Sequence, residues 1–147
     1  MKKILLTLVI MSAVLFSFAN TPTPVSDKVL KIFSKTFPGV ENAKWYEYET
    51  YYEAYFDKDD IKCRVRFDLD GKIMNTIRYY GEKTVAPFLK AKISQKYPGK
   101  KIFGVTEVNN EYELSYNFVL EDEKNWLHVK SDGTGQMEVT DKFKKAE

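Results

Sequence analysis

At 147 residues the chain has room for one ordinary domain or two very small ones. Aromatic residues at 15% and charged residues at 30% mark a folding sequence rather than a disordered one. The formal charge of +2 falls to balance once Lys2 and Lys3 of the opening segment are set aside, which excludes the basic surplus a nucleic-acid binder needs.

Met1-Lys2-Lys3 is a positive start, and residues 4–18 are apolar except for Thr7, Ser12 and Ser17. Ser17-Phe18-Ala19 then sets small residues at the −3 and −1 positions of a cleavage site before Asn20. This is the pattern of a secretory signal peptide over residues 1–19. The apolar stretch of about 15 residues is short of the roughly 20 a spanning helix needs. The expectation is therefore a periplasmic or secreted protein with no stable membrane insertion once the leader is cleaved. Residues 20–25, with Pro22 and Pro24, read as an extended linker.

The rest of the chain shows self-similarity. Phe37-Pro38-Gly39 recurs as Tyr97-Pro98-Gly99, and Asp70-Gly71 is matched to Asp132-Gly133. The two copies span residues 26–81 and 82–147. Each opens on a four-residue apolar line, Val25, Val29, Phe33 and Phe37 in the first and Val85, Leu89, Ile93 and Tyr97 in the second. Such lines make one-sided helices. Ser26 or Asp27 caps the first, Pro87 suits the first turn of the second, and Pro-Gly ends each. Four alternating runs follow each helix. Ile61, Cys63, Val65 and Phe67 alternate with Lys62, Arg64, Arg66 and Asp68, and Tyr112 to Leu120 alternate likewise. The fold class expected is α+β: a tandem repeat of one helix plus a four-stranded antiparallel meander, the two copies fused into one body with each helix buried on its sheet.

The helix, Phe37-Pro38-Gly39, Trp45, Tyr52-Glu53-Ala54-Tyr55-Phe56 and Val65-Arg66-Phe67-Asp68-Leu69-Asp70-Gly71 together resemble the PepSY-like family. These are small exported bacterial proteins, also called beta-lactamase-inhibitor-like. The resemblance covers about residues 26–142. The second copy departs from it, with Val105 in place of the Trp and Leu114 in place of the Ala. The resemblance implies a beta-lactamase-inhibitor-like fold, with the helix-plus-four-strand unit doubled and the helices packed on one face of a continuous sheet, and a role in protein binding or inhibition.

The residues themselves hold no catalytic signature. Cys63 and His128 are the only Cys and His, and the repeat register places them on opposite strand faces, out of hydrogen-bond reach. One Cys and one His are too few for a structural zinc site, and Asp57-Lys58-Asp59-Asp60 reads as a turn rather than a metal loop. Glu53 and Glu113 read as solvated charges. No enzyme activity, no cofactor and no metal are expected. The lysines around the second helix, Lys90, Lys92, Lys96, Lys100 and Lys101, read as a solvated face or as a dock for an acidic surface.

The aromatic residues carry the functional expectation. Period two sets Tyr46, Tyr48, Tyr51 and Tyr55 opposite Trp45, Tyr52, Ala54 and Phe56. The same face is expected to carry Arg64, Arg66, Arg78 and Tyr80, with Trp126 and His128 from the second copy. Tyr, Trp and Arg are the residues enriched in binding hot spots. The reading is a non-enzymatic exported protein that presents these ten side chains to a protein or peptide partner in the envelope, as an inhibitor of an envelope enzyme or otherwise. The alternative is a carrier of a small sugar, peptide or lipid fragment, which requires an enclosed pocket.

Overall fold

The computed structural model describes residues 25–146. The leader expected over residues 1–19, and the linker expected over residues 20–25 apart from Val25, lie outside the described residues. In chain order the elements are α1 (Asp27–Thr36), β1 (Lys44–Glu47), β2 (Tyr51–Lys58), β3 (Ile61–Asp68), β4 (Ile73–Tyr80), a 3-10 turn (Glu82–Thr84), α2 (Pro87–Lys96), β5 (Lys101–Asn110), β6 (Leu114–Glu121), β7 (Asn125–Asp132) and β8 (Met137–Lys144).

The expected tandem of helix-plus-meander units is corrected. All eight strands form one antiparallel sheet in sequence order, accompanied by only two ten-residue helices. The unit of architecture is the sheet, not a repeat. Neither meander closes on itself. The outer edge of β4 needs hydrogen-bond partners, and β5 supplies them from Asn75↔Asn110 to Tyr80↔Val105. The two halves also differ locally, since β1 has four residues and β5 has ten.

The helix ends follow from sequence. Ser26 Oγ accepts the Val29 amide as the N-cap of α1, a bond worth about 1 kcal/mol. The α2 cap, Ala86, has no side-chain acceptor, and Pro87 at the first turn removes one amide that would otherwise lack a partner. Val29 and Phe33 of α1 bury against Tyr52, Ala54, Phe56, Val65 and Phe67. Leu89 and Ile93 of α2 bury against Val105, Phe118, Leu120 and Val129. Both helices thus cover the same sheet face. Trp45 and Cys63 are only partly buried there, and Leu114 is exposed at the start of β6.

Two turns position the strands. Asp59 and Asp60 both take positive φ (53° and 63°) in the two-residue link between β2 and β3. Asp tolerates this conformation, and the pair matches the twist of a tight hairpin. In the β3–β4 turn Asp68 Oδ1 accepts the Asp70 and Lys72 amides, and Gly71 sits at φ +89°. The β7–β8 turn repeats this with Asp132 Oδ1, the Thr134 and Gln136 amides, and Gly135 at φ +82°. Gly71 therefore corresponds to Gly135, not to Gly133 as the dipeptide match implies.

Candidate functional site

The sheet face turned away from the helices is open. Registers Lys44↔Tyr55↔Arg64 and Tyr46↔Glu53↔Arg66 bring these six side chains onto that face across β1, β2 and β3. Trp45, Ala54 and Val65 alternate with them and point to the helices.

Glu53 anchors the patch. It is only 3% exposed although no helix covers it. Arg66 donates to its Oε1 through Nε at 3.2 Å and Nη2 at 2.8 Å, and the Tyr55 hydroxyl donates to Oε2 at 2.9 Å. Arg64 Nε stands 3.9 Å from Oε1. Burial pushes the Glu53 carboxyl up. The bonds from Arg66 and Tyr55 and the charges of Arg64 and Arg66 outweigh that and hold it below its ordinary value of 4.5. The carboxylate is therefore ionised at neutral pH. Burial and the bond to Glu53 push the Tyr55 hydroxyl up. The reading of Glu53 as a solvated charge is corrected, because long side chains from β2 and β3 close over it. Glu113 stands apart in the β5–β6 turn, half exposed.

The aromatics pack around this ion cluster. Tyr48 stacks on Tyr51 with centroids 4.4 Å apart, and Tyr46 meets Tyr55 edge-on at 5.3 Å. The Arg66 guanidinium lies 4.2 Å from the Tyr51 ring centre, and Arg64 lies 6.0 Å from that of Tyr55. Tyr46, Tyr48, Tyr51, Tyr55, Arg64 and Arg66 thus form one assembly. Tyr46 and Tyr48 are exposed, and the other four are half-buried.

Arg78 and Tyr80 do not belong to it. A register shift at Arg66/Phe67, where Phe67 pairs with Ile73 and Arg66 with Asn75, reverses the parity of β4. Arg78 then pairs with Cys63, on the helix side. There Arg78 Nη1 donates to Glu107 Oε1 at 3.0 Å, and the Tyr80 hydroxyl donates to Glu107 Oε2 at 2.6 Å. Tyr80 is buried in the core under α2. Ile77 and Tyr79 take the places on the open face, paired with Arg64 and Lys62. A bulge is the only signal that reveals this, and it carries no fixed sequence mark.

Trp126 and His128 lie on the open face but on β7, four strand spacings or about 19 Å from β3. They build a second patch. Phe103, 63% exposed at the β5 bulge, meets the Trp126 ring edge-on at 4.9 Å. Lys145 Nζ lies 4.5 Å from the Trp126 ring centre, and His128 meets Phe143 at 5.2 Å.

Of the five lysines on and after α2, three are bonded within the protein. Lys90 donates to the Lys83 carbonyl, Lys96 to the Met137 carbonyl, and Lys100 pairs with Asp122. Cys63 and His128 project from opposite faces, and burial pushes the Cys63 thiol up, away from thiolate chemistry. Among the described residues no three His, Cys, Asp or Glu side chains gather as a metal site. Among the same residues no helix is long and apolar enough to cross a membrane.

No family profile matches the chain, and no curated protein matches it by sequence. Solved structures do resemble it. A DUF2874 family protein from Bacteroides uniformis superposes with a TM-score of 0.58 at 18% identity, over 81% of this chain and 88% of that one. A BLIP-like protein from Bacteroides fragilis gives 0.61 at 17% identity, over 83% and 87%. A Bacteroides eggerthii protein, described provisionally as periplasmic, gives 0.59 at 16%, over 83% and 90%. At these identities the likeness shows shared architecture: the chain has a beta-lactamase-inhibitor-like fold.

Proposed function

We propose that the chain is an exported, non-enzymatic binding protein that docks a protein or peptide partner on the open face of β1–β3. The observation that carries this is Glu53. A carboxylate buried on a helix-free face, bonded to Arg66 and Tyr55, holds guanidinium and aromatic groups in fixed positions before any partner arrives. Preorganisation of this kind lowers the ordering cost of association. Tyr and Arg held in such a way are hot-spot material. The B. fragilis protein named BLIP-like supports a role in protein recognition, and the PepSY-like motif supports the same class of small exported protein. The leader over residues 1–19 supports placement in the envelope. The clefts along the sheet lie open to solvent, which favours a broad partner over an enclosed small ligand.

The test is cross-linked capture from envelope extract with the exported protein, comparing wild type with Tyr48→Ala and Arg66→Lys. Arg66→Lys keeps the charge but loses the two-pronged grip on Glu53 and the flat stacking on Tyr51. Loss of the same captured protein in both variants, with melting preserved in Tyr48→Ala, supports the reading. Capture that is indifferent to both removes it.

A further inference from the structure

We propose that the partner segment is acidic, and that its carboxylates dock between Lys44 and Arg64 across the ring of Tyr55. This rests on the reading of β1–β3 as a docking face and names the chemistry of the occupant. The cations of that face are not equally committed. Arg66 takes Oε1 of Glu53 with two bonds, and Tyr55 takes Oε2. Arg64 stands 3.9 Å from Oε1 and leans on the Tyr55 hydroxyl, but its Nε is buried with no hydrogen-bond partner. Lys62 is held by Asp57 at 3.3 Å. Lys44 is exposed and makes no hydrogen bond or ion pair among the described residues. One buried carboxylate therefore serves two guanidiniums, and the face keeps cationic capacity for an outside acceptor.

Geometry gives that capacity a shape. Lys44, Tyr55 and Arg64 are directly opposite one another on adjacent strands, so the two cations stand two strand spacings apart, about 10 Å. Tyr46 and Tyr79, both exposed, flank the row. A groove of about 830 Å³ runs past all five side chains. Two acidic residues at alternate positions of an extended segment stand about 7 Å apart, and the long Lys and Arg stems close the difference. Arg64 offers a planar fork suited to carboxylate, and the tyrosine rings offer faces for neighbouring apolar atoms. A membrane surface fits less well. Anionic lipid is recognised by dense clusters of about four to eight basic residues, whereas the groove holds only Lys44, Lys62 and Arg64, interspersed with Glu41 and Asp57, and Lys62 is already paired with Asp57.

The experiment uses the isotope-labelled exported protein and two synthetic peptides. One is a Gly/Ser peptide with two Asp at alternate positions, and the other is the same peptide with two Lys. The Asp peptide is expected to shift the backbone amide signals of Lys44, Tyr55, Arg64 and Tyr79 in a saturable way, and the Lys peptide to leave them in place. Arg64→Gln is expected to weaken the Asp peptide about tenfold, the scale of a charged hydrogen bond. Lys44→Gln, at an exposed site, is expected to weaken it less while leaving the melting temperature unchanged. Shifts that centre on α2, or affinity unaltered in Arg64→Gln, overturn the proposal. So does displacement of the peptide by phosphatidylglycerol vesicles. If the Asp peptide leaves the face untouched while Tyr48→Ala still abolishes partner capture, the docking face stands and its acidic chemistry falls.

Discussion

Arg66 grips one oxygen of Glu53 with two of its nitrogens, at 2.8 and 3.2 Å, on a sheet face that no helix covers. The carboxylate is nearly buried and the guanidinium is about a third exposed. Removing the carboxylate leaves Arg64 and Arg66 facing each other without a counter-charge. Glu53→Ala is expected to cost about 2–3 kcal/mol, less than the 3–5 kcal/mol of a fully buried pair because both arginines reach water. A urea titration of the variant beside wild type measures it, and an unchanged midpoint contradicts the anchoring role.

The same pair sets a pH dependence. The folded Glu53 carboxyl titrates below its ordinary value of 4.5, so the unfolded chain binds the proton more readily. Its contribution is fully present above the unfolded value and is lost as pH falls through the folded one. Between pH 7 and pH 3 wild type should therefore lose more stability than Glu53→Gln, which has no such group to protonate. Parallel loss in the two proteins would assign the acid sensitivity elsewhere.

Phe33 is the hub of the first core. It lies 5.0–6.2 Å from the rings of Trp45, Phe56 and Phe67, centroid to centroid, and is almost wholly buried. Phe33→Ala should destabilise by roughly 3–5 kcal/mol. Thermal melting checks this, and a shift near zero would mean that α1 does not hold to the sheet through this side chain.

Tyr48 and Trp126 separate docking from covering. Tyr48 is exposed and stacks only on Tyr51, so Tyr48→Ala should change folding stability by no more than about 1 kcal/mol. Partner capture should fall by about 2 kcal/mol or more where Tyr48 is a hot spot. Trp126 belongs to the second patch, and Trp126→Ala reports whether the partner spans both. Large stability losses with intact capture would make these rings structural.

Arg78 serves as the control. It faces the helix side, bonded to Glu107, whereas Arg64 and Arg66 face the open side. Arg78→Ala should lower the melting temperature, because Glu107 keeps the Tyr80 hydroxyl but loses its counter-charge, and should leave capture at wild-type level. Loss of capture at unchanged stability would place the docking surface on the wrong side of the sheet.

Residue order alone determined the local elements. The stripes Val29/Phe33 and Leu89/Ile93, the alternation from Ile61 to Phe67, the Ser26 cap and the Asp-rich turn between β2 and β3 depend on neighbours a few positions away. Local spacing and local sterics decide such features, so they can be read directly. The tertiary structure alone decided three others. It joined the strands into one eight-stranded sheet, a continuity that the family resemblance implied but no local spacing specified, because the free edge of β4 found its partner in β5 across the 3-10 turn and α2. It sent Arg78 and Tyr80 to the helix side, because a one-residue slip opposite Arg66/Phe67 flips every later side chain of a period-two strand. It buried Glu53, because burial depends on the long side chains that β2 and β3 bring over it, and strand periodicity records which face a residue takes but not what covers that face.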